Sequence, residues 1–147
     1  MNYLTYIFKA KTVYSVQSPL VYDLCDRVLW TPLSASQLRS LHLSRHDTFP
    51  ALCYRVANHL QPRHTVLVAE DPSVVNAVRQ GCPTSQIVLF PNVPPDSIIL
   101  MEHPHRHEAL WQQLLSLPDR TAAIDIYSAA LLFIGWGLSR QEFLLKR

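Results

Sequence analysis

Glycine is almost missing from this chain. Its 147 residues hold only Gly81, Gly135 and Gly137, so the first eighty have none. Glycine allows positive φ and lets a backbone approach a ligand or another backbone closely. The strand-like run Thr65-Val-Leu-Val-Ala69 leads into Glu70-Asp71-Pro72, a turn without glycine. A glycine-rich dinucleotide or phosphate loop is therefore ruled out at that point.

Prolines and capping residues supply the punctuation instead. Ser18-Pro19 starts a helix, because serine caps free amides and proline suits the first helical position. The stripe Leu20, Val21, Leu24, Cys25 and Val28 follows, and Thr31-Pro32 ends it. Before it, Tyr3, Leu4, Ile7 and Phe8 make a short helical stripe followed by Lys9 and Lys11. Residues 33–47 are polar, with a short helix expected from Ala35 to Leu41 after a Ser34 cap. Thr48 is expected to cap the next helix, with Leu52, Cys53, Val56, Ala57 and Leu60 inward until Gln61-Pro62.

His64 to Ala69 then reads as a buried parallel strand. Asp71-Pro72 opens a helix closed by Gly81 as a C-terminal glycine. Strands follow at Ile87–Phe90 and Ser97–Met101, joined by Pro91, Pro94 and Pro95. A helix is expected from His105 to Ser116 with Ala109, Leu110 and Leu114 inward. Ala122–Tyr127 and Ala130–Trp136 are too closely joined to be parallel, so they form an antiparallel hairpin. The tail from Ser139 is expected to make a last helical turn. Strands alternating with helices predict an α/β fold: a mostly parallel sheet, helices on both faces and a C-terminal antiparallel hairpin.

The length suits a single domain, 1–147, divided into a helical extension (1–47) and a reduced α/β core (48–147). Half the composition is apolar (48%) and net charge is only +2, which argues against nucleic-acid and membrane-surface partners. Residues 31–65 carry four arginines and one acid, whereas residues 66–147 carry six basic and eight acidic residues. Ordinary solvated faces explain this unevenness. Cys25, Cys53 and Cys82 form no CxxC pair, and the first two fall on apolar helix faces. They read as small hydrophobes in a reducing compartment. No secretory leader and no run of membrane-spanning length is visible, so a cytoplasmic location is expected.

Two stretches carry a family likeness. Tyr14-Ser-Val-Gln-Ser-Pro-Leu-Val-Tyr-Asp-Leu24 resembles the HSPFVYDL segment of a group of bacterial class I S-adenosylmethionine-dependent methyltransferases, with Gln17 for histidine and Leu20 for phenylalanine. Ser97-Ile-Ile-Leu-Met-Glu-His103, Ala109-Leu-Trp111, Ala123-Ile-Asp-Ile-Tyr127 and Leu131-Leu-Phe-Ile134 are similar to that family's acid-ended strand, tryptophan helix and terminal hairpin. Arg55 to Pro62 is similar to its helix leading into the first strand. The likeness covers about half the chain and implies a Rossmann-like methyltransferase fold. The departures are the glycine-free turn and a short middle section, residues 73–96, which imply that two or three of the usual seven strands are gone.

The candidate residues follow from this frame. Glu70 and Asp71 stand where the family organises its cofactor loop; the plainer reading is that they cap the next helix. Glu102 and His103 end a strand at the sheet edge where α/β folds bind ligands, and His103 could serve as a general base near neutral pH. His103, His105 and His107 could hold a metal ion, although a two-residue spacing suits a strand better than a helix. Asp125 sits within an apolar strand and needs a partner there, an arginine or a loop-covered face. The expectation is a catalytically silent methyltransferase-like protein with no cofactor, acting as a homodimer or with a protein partner through an exposed sheet edge. The first alternative is an active enzyme that binds S-adenosylmethionine in an atypical site. The second is a metal-binding module.

Overall fold

The computed structural model describes residues 1–12 and 18–147. Tyr14 to Gln17 of the HSPFVYDL-like segment lies outside the described residues. At Ser18 and Ser34 the local signals work as read. The first helix is α1 (Tyr3–Lys9). The Ser18 hydroxyl accepts from the Val21 amide at 3.5 Å and Pro19 takes the first position of α2 (Pro19–Leu24). A π-helical turn, Cys25–Leu29, continues it. The carbonyls of Val28 and Leu29 there receive Arg55 Nε and Nη2 at 2.8 and 3.0 Å. Helix ends leave carbonyls without intrahelical partners, and the guanidinium supplies them. Ser34 and Gln37 form a reciprocal capping box on α3 (Ala35–Ser40).

Helix boundaries differ from expectation at Thr48 and Gly81, and again at the start of the helix expected from His105. Thr48 is the first residue of α4 (Thr48–Leu60), not its cap; Asp47 precedes it and bonds back to the Ser44 amide. Gly81 is the last residue of α5 (Pro72–Gly81) and has no positive φ. A Cβ at position 81 would lie 2.7 Å from the Tyr54 carbonyl oxygen. The glycine is there because α5 touches the backbone of α4, not to terminate the helix.

Among the described residues seven strands form one sheet: β1 (Lys11–Thr12), β2 (His64–Leu67), β3 (Gln86–Leu89), β4 (Ser97–Glu102), β5 (Arg120–Asp125), β6 (Ala129–Ile134) and β7 (Gln141–Lys146). Their spatial order is β1-β7-β5-β6-β4-β2-β3. The expected loss of two or three strands is therefore corrected: β1 and β7, from segments read as non-strand, pair with each other and bring the number to seven. Among the described residues only β6 is reversed, antiparallel to both β4 and β5; the other pairings there are parallel. The expected β5–β6 hairpin is present. The expected helical turn in the tail is not: residues 141–146 are extended and pair with β5. A helical tail would leave the free edge of β5 without backbone partners, and the strand satisfies it.

Each face of the sheet has its own core. Leu67, Leu100, Ile124, Leu131 and Phe133 pack with α2, α4 and α5. Val66, Ile99, Met101, Ala123 and Leu132 pack with α6 (Glu108–Leu115). Each fully buried side chain of this kind is worth about 1.5–3 kcal/mol. On α6 the inward residues are Trp111 and Leu114, whereas Ala109 is exposed. A 3-10 turn, Pro104–Arg106, precedes that helix, so it starts later than expected and its inward face is rotated accordingly. The three cysteines are free and buried, and burial pushes the Cys25 thiol up to about 11. Among the described residues, no helix is long and apolar enough to cross a membrane.

Candidate functional site at the strand ends

From β2 the chain passes through α5 to β3 on one side, while β4 adds on the other. The direction of strand order therefore reverses between β2 and β4. Ligands of α/β sheets bind outside the carboxyl ends of strands at such a point. A cleft of about 310 Å³ lies there, walled by Phe49, Leu67, Leu100, Met101 and Leu110. Its polar groups are Asp71, Glu102, His103, Arg106 and His107. An apolar cleft with few polar groups, at the small end of the usual ~300–1,000 Å³ range, suits a small organic ligand.

The sequence candidates divide here. Asp71 reaches the cleft, but its Oδ1 accepts the Ser73 amide at 2.9 Å and caps α5. Pro72 contributes no N–H, so the first turn of α5 offers little to a ligand. Glu70 is exposed and is not part of the cleft wall. Glu102 and His103 both face the cleft. His103 has φ 48°, the left-handed region that a residue with a Cβ enters only at a cost. Its amide donates to the Ser128 carbonyl at 2.8 Å, which fixes that conformation. The Nε2 atom lies 3.6 Å from Glu102 Oε1.

His107 also lines the cleft, whereas His105 turns into the protein. The three histidines do not converge, and among the described residues no group of three or more His, Cys, Asp or Glu side chains is arranged to hold a metal ion.

His105 instead joins a closed nest at the end of β5. Its Nε2 meets Asp125 Oδ2 at 2.6 Å, with both side chains nearly inaccessible (6% and 4% exposed). The imidazole stacks on the Tyr127 ring, centroids 5.3 Å apart, and meets the Tyr6 ring edge-on. Asp125 Oδ1 accepts the Tyr127 amide at 2.8 Å. The Tyr6 hydroxyl shares its proton between the carbonyl of Asp125, 2.6 Å away, and that of Leu145. Burial raises the Asp125 carboxyl above its ordinary value, against the Tyr127 amide and His105, which lower it. Burial and the nearby Asp125 also push the Tyr6 phenol up. Asp125 thus finds a histidine where an arginine was one expectation. Tyr6 and Tyr127 carry no local sequence signal: their partners are 119 residues away in one case and defined only by the fold in the other.

Comparison with family models, with curated proteins and with solved structures finds no match for this chain.

Proposed function

We propose that the chain is a methyltransferase-like α/β domain of the class I type that does not transfer methyl groups and works through protein association. The observation that carries this reading is the use of Asp71 as the cap of α5, followed by Pro72. The turn where a cofactor would meet backbone amides is occupied by the chain's own carboxylate. The reversed strand β6 and the crevice between β2 and β4 support descent from that fold.

The outer edge of β3 is the surface for association. Residues 80–95 contain no charged side chain, and Leu89 is 40% exposed. Natural edge strands are blunted by charge, proline or cover, and β3 carries none of these within its four residues. A second copy pairing there on a two-fold axis extends the sheet.

A second reading, an active methyltransferase with an atypical site, is favoured by the cleft itself and by Glu102 and His103 on its wall. Calorimetric titration with S-adenosylmethionine and S-adenosylhomocysteine separates the two. A folded sample is expected to give no binding heat. Micromolar binding that is lost in Glu102→Ala would establish the second reading instead.

A further inference from the structure

Helix α1 faces the wrong way for a core helix. Tyr6 is its one buried residue, at 1% exposure; of the apolar stripe read from the sequence Ile7 is half-buried and Tyr3 packs on Tyr127, while Leu4 (71% exposed) and Phe8 (89% exposed) point outward. These two are four residues apart and so share one helix face. Of the six large apolar residues that stand exposed among the described residues, Met1, Tyr3, Leu4 and Phe8 belong to this segment. Such clustering marks an interaction surface, whereas single exposed apolar residues need no explanation.

The surroundings are basic. Lys9 and Lys11 are exposed, and Lys146 Nζ donates to the Ile7 carbonyl at 3.0 Å near the end of α1. The register of β1 against β7 sets Thr12 beside Lys146, with Arg147 next in the chain. No acid occurs in residues 1–22. Of the carboxylates near α1, Glu108 lies at its start and is bound by the Met1 amine at 2.5 Å, and Asp125 is buried beneath Tyr6 and paired with His105.

We propose that α1 and the basic edge beside it dock on an anionic lipid surface. Apolar side chains on one helix face with lysines at its border are the chemistry of a helix lying in the headgroup region. Negative headgroups attract each nearby cation. Leu4 and Phe8 project from the surface and need a yielding layer to enter; a protein partner would need a matching groove. The overall charge of +2 conceals this edge, because the acids lie mostly in residues 66–147. This inference does not depend on the methyltransferase reading.

The test is co-sedimentation of the full chain with vesicles of phosphatidylcholine alone and of phosphatidylcholine mixed with phosphatidylglycerol. Wild type is expected to sediment with the anionic vesicles only, and less so as salt rises. Leu4→Glu/Phe8→Glu is expected to lower partitioning more than about tenfold. Lys9→Gln/Lys11→Gln lowers it about fivefold per lysine. Phe8→Ser, at an exposed position, carries the same test if the double substitution prevents folding as judged by circular dichroism. Failure of wild type to sediment with anionic vesicles overturns the proposal, as does unchanged sedimentation of the folded Leu4 and Phe8 variants. Light scattering that finds a lipid-free dimer broken by those variants assigns the face to a second copy and also overturns it.

Discussion

His103 and His105 are two residues apart and end in opposite situations. His103 stands on the wall of an open cleft in a left-handed backbone conformation, near a carboxylate it does not hydrogen-bond. His105 is enclosed, with Asp125 on one nitrogen and aromatic rings around it. The 3-10 turn from Pro104 sends them apart. The closed nest stores stability and the open cleft carries strain. A buried group fully partnered anchors a fold, whereas a strained residue on a cleft is where structures give up stability for binding.

That contrast can be broken most directly at Asp125. Replacing it with alanine leaves His105 and the Tyr127 amide without their buried partner. Urea denaturation is expected to show a loss of about 3–5 kcal/mol. Glu102→Ala on the cleft serves as the control, with a change within about 0.5 kcal/mol. Comparable losses at the two positions would erase the distinction.

The pH dependence sharpens it. Burial raises the Asp125 carboxyl in the folded state above its ordinary 3.8. A raised folded value means that the folded protein holds the proton more tightly than the unfolded chain. Its stabilising contribution is full below 3.8 and is lost as pH rises through the folded value. The stability of wild type relative to Asp125→Asn, measured by urea midpoints across acidic pH, is therefore expected to decline as pH rises. An advantage that grows with pH would mean that pairing with His105 outweighs burial.

The smallest effect belongs to His103→Gly. Glycine enters the left-handed region without the Cβ penalty, so thermal denaturation is expected to show a gain of up to about 1 kcal/mol. A loss would show that the His103 ring contributes packing that its exposure does not suggest.

Three helix starts were legible because their causes are local: Ser18-Pro19, Ser34 and Asp71-Pro72 each act within one turn. The hairpin was legible for the same reason, since a short connection forces antiparallel pairing. Strand β7 was not. Phe143-Leu144-Leu145 fits a helical turn as well as a strand, and the choice is made by the vacant edge of β5. The strand-end location of Glu102 and His103 could be read from the alternation of elements. The need of Asp125 for a partner was also visible, but the identity of that partner depended on a turn whose geometry no periodicity encodes. The outward turn of α1 was hidden because Tyr6 lies between the apolar positions that a helical stripe selects, and its hydrogen-bond acceptors belong to β5 and β7.

Those acceptors set an order of assembly. Tyr6 is synthesised well before one of the carbonyls that hold it, that of Leu145, 139 residues later. Contacts of such separation form late because the intervening chain must first be organised. The core between β2 and β6 can close while α1 still waits for β7. On a ribosome, the outward apolar face of α1 would remain attached to an untethered segment until β7 emerges.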